Sequence, residues 1–355
     1  MNKNFKISLF SPLNLSYWWN LGSLLLMLIL IQILSGVMLS LFYENSMMSF
    51  TSLWVIHMEI FNGSLIHYIH LNFASFLFMV LYFHMVKALL YNSYLNLKFV
   101  WLTGWLMMIL FMMIAFLGYV LPWGQMSLWG ATVITNLLST LPFGNYLVQW
   151  IWGGYFVSNI TLKLFFSLHF LFPLLTLTVI ALHMITLHYY GSSNPLGTYN
   201  NIVKSEFSLN YLVKDLVNII LLLVFIIFSL LKSFNLSDPE NFIMANSLVS
   251  PIHIQPEWYF LQYYAILRAI PSKVGGVIIF VLSLVMIASM ILFKNLNSCY
   301  TKMNLFMMLV FMIVNIILMW LGGQVVEEPY LTVSQFFSFL YFMWFLVLGI
   351  MMKKL

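Results

Sequence analysis

Two long apolar segments each carry a pair of histidines fourteen residues apart, His70 with His84 and His169 with His183. Fourteen residues make about 3.9 turns of an α-helix and a rise of about 21 Å, so the two members of a pair lie on one helix face. Histidine is costly in the hydrocarbon core of a membrane unless it faces a protein interior or binds a ligand. Two such helices side by side therefore predict two levels of facing imidazoles, one near each membrane surface.

Two glycine pairs repeat this interval in two other apolar segments, Gly22 with Gly36 and Gly104 with Gly118. Because glycine has no side chain, a flat ring can approach the helix backbone closely at these positions. Taken singly, a membrane histidine can equally hydrogen-bond a neighbouring helix, and a helical glycine is usually a packing contact. The interval shared by four segments instead favours two stacked haems, each bound by two histidines.

The composition is that of an integral membrane protein. Of the 355 residues, 63% are hydrophobic and 6% are charged, whereas a soluble domain carries about 25% charged residues. The sequence predicts an all-α fold, because the ~10-residue alternating segments of a membrane β-barrel are absent. Eight apolar segments approach the ~20 residues that cross a bilayer. These expected spans are residues 21–42, 65–91, 99–121, 163–188, 216–234, 274–293, 303–321 and 334–351.

The distribution of charge predicts the orientation of the chain. Eight spans put both termini on one side, here called the inner side, which carries ten lysines against Glu206 and Asp215. The other side, here called the outer side, carries four basic and seven acidic residues. Since basic loops stay on the cytoplasmic side, the termini are expected there, or on the matrix side in a mitochondrion. The net charge of +5 thus reflects topology and gives no indication of nucleic-acid binding.

Cysteine and loop content limit what this chain can do alone. A single cysteine, Cys299, excludes an internal disulfide and a cysteine-ligated iron–sulfur cluster. Residues 189–215 form the inner connection between the fourth and fifth spans, and residues 122–160 and 235–273 form long outer loops. Within the first outer loop, residues 127–138 are too short to span a membrane and predict a helix lying on its surface.

Three motifs in the outer loops carry a resemblance to a known family. They are residues 118–127 (GYVLPWGQMS), residues 129–136 (WGATVITN) and residues 256–259 (PEWY). The chain closely resembles mitochondrial cytochrome b, the quinone-handling subunit of ubiquinol–cytochrome c reductase, over nearly its whole length. The resemblance implies a four-helix bundle around two b-type haems in residues 1–200. Four further helices in residues 201–355 would complete the quinol-oxidation site.

The resemblance assigns the histidines and glycines to the two haems by depth. The set implied for the outer haem is His70, His169, Gly36 and Gly118. The set implied for the inner haem is His84, His183, Gly22 and Gly104. Histidine at both axial positions leaves no open site for oxygen, so these are expected to be electron-transfer haems.

A quinol-oxidation site is expected on the outer side. Quinol oxidation releases two protons, and a carboxyl group in a partly apolar pocket is a suitable acceptor. Glu257 is the candidate, although a surface glutamate at a loop turn is the alternative. His253 is a relay, a contact for a partner or a solvated loop histidine. The family implies that the pocket is shaped by Tyr259, Tyr264, Tyr119 and Gly130.

A second quinone is expected on the inner side, where it would be reduced and need protons. The family implies a quinone contact at His188 and a proton-handling carboxylate at Asp215, beside Lys214. Ser192 and Asn20 are the expected polar neighbours. The alternative for Lys214 and Asp215 is a charge pair at the membrane interface.

Several positions depart from the family pattern. Arginines usually anchor haem propionates, a role that suits their bidentate geometry. Here His67, Lys87 and Leu164 stand at expected arginine positions, with Lys163 beside the last, and Phe73 replaces a glycine. These changes leave the ligation unaffected but alter the expected propionate contacts.

The predicted function is electron transfer in a respiratory complex. One quinol electron would pass to an external Rieske-type iron–sulfur protein and the other through both haems to the inner quinone, coupled to proton translocation. A cytochrome c-type subunit, core subunits and lipid are the other implied partners, in a dimeric complex of the mitochondrial inner membrane; an isolated chain is not expected to be active. One alternative is a di-haem anchor of a dehydrogenase, which would not need the outer motifs. Another is a transporter, which would show broken helices and charged midplane residues.

Overall fold

The computed structural model describes residues 10–196, 204–293 and 302–351. The domain boundary expected at residues 200–201 lies outside these ranges. So do Cys299 and five of the ten inner-side lysines counted above: Lys3, Lys6, Lys294, Lys353 and Lys354.

Within the described residues the fold is almost entirely helical. The helices are α1 (Leu21–Ser40), α2 (Ser49–Met58), α3 (Gly63–Leu90), α4 (Ser93–Asn96), α5 (Lys98–Val120), α6 (Gln125–Asn136), α7 (Gly144–Trp152), α8 (Asn159–Tyr190), α9 (Phe207–Asn210), α10 (Leu212–Asp215), α11 (Val217–Leu231), α12 (Leu261–Arg268), α13 (Lys273–Ser289), α14 (Lys302–Gly322) and α15 (Tyr330–Met351). Two short strands, β1 (Phe10–Pro12) and β2 (Lys204–Glu206), pair antiparallel.

The eight predicted spans are confirmed. In the described part of the chain, eight helical segments are long and apolar enough to cross a membrane, and their ends differ from the expected ones by at most four residues. They comprise α1, α3, α5, α8, α10 with α11, α13, α14 and α15. Helix α8 begins earlier than expected because Ser158 caps it: its hydroxyl accepts from Ile160 N, while the Thr161 hydroxyl accepts from Ser158 N.

Short helices occupy the outer loops between the spans. The helix expected at residues 127–138 is present as α6, which begins at Gln125 and ends at Asn136. Helices α2 and α7, of 10 and 9 residues, were not predicted. They are too short for a hydropathy pattern to distinguish them from an apolar loop.

The first four spans form one bundle, in which α1 packs on α3 and α5 packs on α8. The C-terminal spans dock on this bundle through α3 and α5. On α3, the Phe76 ring stacks on Phe225 of α11 with ring centres 4.2 Å apart. On α5, Trp101 donates its indole N–H to the Ile287 carbonyl near the end of α13, at 2.9 Å. This contact ties α5 to the C-terminal end of α13.

Candidate functional site

The outer histidines face each other across the bundle. His70 on α3 and His169 on α8 have ring centres 6.2 Å apart and ring planes at 87°. Since an imidazole–metal bond is about 2 Å long, this spacing leaves room for one metal ion between the rings. His84 and His183 lie fourteen residues further along the same helices and are close enough to interact electrostatically. The structure thus brings the four histidines together as two pairs at two depths.

Hydrogen bonds at Nδ1 orient the outer histidines. His169 Nδ1 lies 2.8 Å from the Ile114 carbonyl, which can only accept, so His169 carries its proton on Nδ1. His70 Nδ1 lies 2.9 Å from the Ser35 hydroxyl, whose single proton is directed to the Ile31 carbonyl at 2.7 Å. His70 therefore also donates from Nδ1. In both rings the lone pair is left on Nε2, as a metal ligand requires.

The inner histidines are held differently from each other. His183 Nδ1 lies 2.9 Å from the Thr103 hydroxyl, which donates to its own helix at the Phe99 carbonyl. By the same reasoning His183 donates from Nδ1 and keeps its Nε2 lone pair. His84 Nδ1 is buried and has no hydrogen-bond partner among the described residues.

At the outer level, each histidine ring lies against a glycine. A Cβ atom added at Gly36 would lie 2.9 Å from His70 Cε1, and one added at Gly118 would lie 2.5 Å from His169 Cε1. Both distances are shorter than a carbon–carbon contact permits, so a side chain at either glycine would displace the ring. Helices α1 and α5 thus provide a gap for the outer pair.

The inner level repeats this arrangement with more space. A Cβ atom at Gly22 would lie 3.6 Å from His84 Cε1, and one at Gly104 would lie 3.5 Å from His183 Cε1. These are ordinary van der Waals contacts. Each predicted glycine therefore lies beside the histidine of its own level, and the cradle so formed fits a flat ring with two axial imidazoles.

The outer pair borders a mostly apolar cavity of about 580 Å³, within the range typical of ligand sites. The cavity extends from the histidines to the outer loop that follows α11. The candidate residues on its walls are His70, His169, Gly36, Gly118, Tyr119, Glu257 and Tyr259.

Glu257 is half-buried at the junction of two cavities. Burial raises the pKa of its carboxyl to about 8, the charge of Asp238 raises the pKa further, and the nearby Tyr119 hydroxyl partly offsets both effects. A second cavity of about 40 Å³ adjoins the first. Four expected residues line it: Tyr119, Gly130, Glu257 and Tyr264. The carboxyl therefore lies on a cavity wall, and its role as a proton acceptor stays a prediction.

Contacts to α3 hold the turn that carries Glu257. The Tyr259 ring stacks on Phe78 with centres 4.2 Å apart and planes at 3°. The Tyr82 hydroxyl donates to the Tyr259 carbonyl, and Trp258 donates its indole N–H to Ser75 at 3.2 Å. Three aromatic contacts to one transmembrane helix thus fix the depth of the carboxyl.

Tyr264, which lines the small cavity, is also held in place by its neighbours. Tyr264 donates to the Ile254 carbonyl at 3.1 Å, and the Arg268 guanidinium lies 4.2 Å from the Tyr264 ring centre. His253 in the preceding loop has a buried Nε2 with no partner among the described residues. Its predicted role as a relay remains a prediction.

On the inner side, Asp215 belongs to a polar network between the start of α11 and α1. Asp215 accepts from the Ser23 hydroxyl at 2.7 Å, and Asn218 donates to the same hydroxyl at 2.9 Å. Asn20 donates to the Lys214 carbonyl at 2.8 Å. The Lys214 ammonium donates to the Leu15 carbonyl at 2.6 Å and lies 4.7 Å from the centre of the Tyr17 ring. Its contacts are therefore those of a lysine that holds the N-terminal segment against α10.

Two predicted inner residues lie apart from this network. His188 is exposed on the last turn of α8, and Ser192 follows that helix. Neither forms a hydrogen bond to Asp215 or Asn20 within the described ranges. A quinone site that joins His188 and Ser192 to Asp215 and Asn20 therefore stays a prediction.

The positions that depart from the family pattern have distinct surroundings. His67 Nδ1 lies 2.7 Å from Nε2 of His57 on α2. Lys87 is buried with its ammonium 4.9 Å from the Trp19 ring centre, whereas Lys163 is exposed. Leu164 is half-buried and packs beside the core formed by α5, α6 and α8. Phe73 packs against Phe225 of α11, on the side of α3 that faces the C-terminal spans.

The sequence interpretation missed three kinds of residue. Ser35 and Thr103 orient histidines, and each immediately precedes a predicted glycine, so the pairs Ser-Gly and Thr-Gly carried a usable signal. Asp238 acts on Glu257 from a position nineteen residues earlier, a proximity that only the folded loop creates. His57 was missed because α2 itself was missed.

Three comparisons with known proteins bear on these residues. A family profile described as Cytochrome b/b6/petB matches residues 6–191, and one described as Cytochrome b(C-terminal)/b6/petD matches residues 244–342. Cytochrome b of Albinaria caerulea is 46% identical over 351 residues, which are 97% of this chain and 95% of that relative. A solved chain titled "Hyperthermophilic respiratory Complex III" superposes with a TM-score of 0.90 at 33% identity, covering 97% of this chain and 93% of that one.

Proposed function

The chain belongs to the cytochrome b family, and we propose that it is the quinone-handling, electron-transferring subunit of a ubiquinol–cytochrome c reductase. The observation that carries the proposal is the pairing of each histidine with a glycine at two depths of one bundle. When bound, a b-type haem at each depth supplies a one-electron redox centre. His70 and His169 would hold the outer haem, and His84 and His183 the inner haem.

The outer cavity is the proposed site of quinol oxidation. Tyr259 and Glu257 border the cavity that also reaches the outer histidines, so a quinol there lies near the first electron acceptor. Glu257 takes up a proton from the quinol hydroxyl, because its raised pKa places the carboxyl near the pH at which it works. Tyr119, Gly130 and Tyr264 shape the smaller cavity through which the carboxyl connects to the outer loop.

The inner network is the proposed site of quinone reduction. Asp215 is held by Ser23 and is half-buried beside the charge of Lys214, a suitable position for passing protons from the inner aqueous phase. Asn20 and Ser192 are the proposed polar neighbours. His188 would donate a hydrogen bond to the quinone from the end of α8, which requires its exposed side chain to turn toward the network.

The proposed setting is a multi-subunit complex of the mitochondrial inner membrane, with both termini on the matrix side. An iron–sulfur protein must accept the other quinol electron, because one cysteine in 355 residues cannot ligate a cluster. A cytochrome c-type subunit, core subunits and a second copy of the complex complete the proposed assembly. Protons released outside and taken up inside would contribute to the membrane gradient.

Alanine substitutions at the four glycines should affect the two haems unequally. We expect Gly118→Ala and Gly36→Ala to remove most of the outer haem, because the new methyl group overlaps the axial imidazole, and Gly104→Ala and Gly22→Ala to retain the inner haem. The measurement is the amplitude of each haem in reduced-minus-oxidised spectra of the membranes. Gly154→Ala is the matched control, since nothing lies within 4 Å of that position. Full outer-haem amplitude in Gly118→Ala would contradict the assignment.

Quinol oxidation should depend on the ionisation of Glu257. A proton acceptor works in its deprotonated form, so the rate should rise from pH 6 to about pH 8, where the carboxyl titrates. Glu257→Gln should abolish this rise and slow turnover by about 10²-fold while both haems remain bound. The measurement is steady-state reduction of cytochrome c by quinol in the assembled complex. Exposed Glu327→Gln is the control; a parental pH profile in Glu257→Gln would show that another group accepts the proton.

His188 should act only at the inner quinone. We expect His188→Leu to slow reoxidation of the inner haem by quinone but leave its reduction from the outer site at the parental rate. Stopped-flow traces of the inner haem separate these two phases. Tyr189→Phe, on the same exposed turn, is the control. Reoxidation at the parental rate in His188→Leu would remove this residue from the site.

A further inference from the structure

A pair of hydrogen-bonded imidazoles lies in the outer cavity beside the proposed haem ligands. His57 Nε2 on α2 and His67 Nδ1 on α3 are 2.7 Å apart, and the ring centres are 4.8 Å apart with planes at 61°. Both residues border the 580 Å³ cavity, together with His70 and His169. None of the roles proposed above uses either member of the pair.

The two members of the pair have different surroundings. His57 lies outside the membrane-spanning segments and is half-buried, next to Met58, which is 77% exposed, and exposed Glu59. His67 lies within the span formed by α3, at the cavity wall. The pair therefore connects the inside of the cavity with the outer surface.

The hydrogen bond between the two rings can reverse its direction. A neutral imidazole has one N–H and one lone pair, so either His57 Nε2 or His67 Nδ1 donates, and the remaining nitrogens carry the complementary proton and lone pair. A proton bound at one end of the pair moves the shared hydrogen across and releases a proton at the other end. Once both steps are complete, each ring again carries one N–H and one lone pair, on exchanged nitrogens.

We propose that the His57–His67 pair exchanges one proton between the outer cavity and the outer aqueous phase when the redox state beside His70 changes. This inference rests on the proposed function, because it requires a haem between His70 and His169. When that site gains one electron from quinol, the added negative charge stabilises one proton on the pair, and reoxidation releases it. Electron and proton arrive and leave together, so charge is balanced.

The electrostatic neighbours of the pair are few. His67 precedes His70 by three residues, so the two side chains are neighbours on one helix face. In the described part of the chain, the titratable groups that act on His67 are His57 and His70, and the Tyr68 ring packs edge-on against His57 at 5.3 Å. Burial lowers the pKa of His57, which favours the neutral form of that imidazole.

The inner level provides an internal comparison. Lys87 follows His84 by three residues and is buried near the inner pair, whereas the outer level has His67 in the corresponding place before His70. A lysine keeps its charge to a higher pH than a histidine does. The reduction of the inner haem should therefore depend on pH less than that of the outer haem between pH 5.5 and 7.5.

The test is a redox titration of both haems in membranes containing the whole complex, at several pH values from 5.5 to 7.5. For one proton per electron, the ratio of oxidised to reduced outer haem at a fixed potential changes by up to tenfold per pH unit, which corresponds to 59 mV. His67→Arg, which fixes a positive charge, should abolish this slope. His57→Gln retains a hydrogen-bonding group but cannot titrate, so it should reduce the slope, and Glu59→Gln, beside the pair on the exposed surface, should leave it unchanged.

The outcomes separate the two proposals. Absence of haem bands in the parental membranes would refute the proposed function itself. Two bound haems with a flat outer-haem potential, or the parental slope persisting in His57→Gln and His67→Arg, would refute the proton exchange alone. Because the parental comparison of the two haems needs no variant, poor assembly of His67→Arg leaves the test intact.

Discussion

The whole structure depends on one geometric constraint. Two imidazoles on different helices must face each other at the same depth, and no side chain of the neighbouring helices may occupy the space of the rings. His70 and His169 meet this requirement only because α3 and α8 run parallel and Gly36 and Gly118 leave space for the rings. Repeating the arrangement after fourteen residues places a second pair on the same helix faces. The bundle of the first four spans is therefore built around two levels of histidines, and Gly36 and Gly118 have little freedom to change.

The remaining spans are arranged around this bundle. Aromatic contacts from α3 to α11 and to the loop before α12 fix where the Glu257 turn lies relative to the outer histidines. Burial raises the pKa of the half-buried Glu257 carboxyl to about 8. The proposed outer site thus combines an acid of raised pKa with a nearby pair of imidazoles, a combination suited to separating protons from electrons. The inner network, by contrast, is polar, and Asp215 in it is half-buried.

Much of this could be predicted from the sequence, and what was missed has a physical reason. The spans and the histidine and glycine pairs follow from hydropathy and helical periodicity, because both are local properties of the chain. The proximity of Asp238 to Glu257 and of His57 to His67 depends on how the loops fold over the bundle. Sequence periodicity carries no information about that folding. His188 was predicted to contact the inner quinone together with Asp215; its side chain is exposed on the last turn of α8, and the contact stays a prediction.

The central claim is that one chain holds two six-coordinate haems, each between two histidines. The most direct measurement is the number of b-type haems per chain in the purified complex, combined with exposure of the reduced complex to carbon monoxide. We predict two haems per chain and no spectral shift with carbon monoxide, because the four histidines would leave no axial position free at either iron. A single haem per chain, or a carbon monoxide adduct at either haem, would contradict the account.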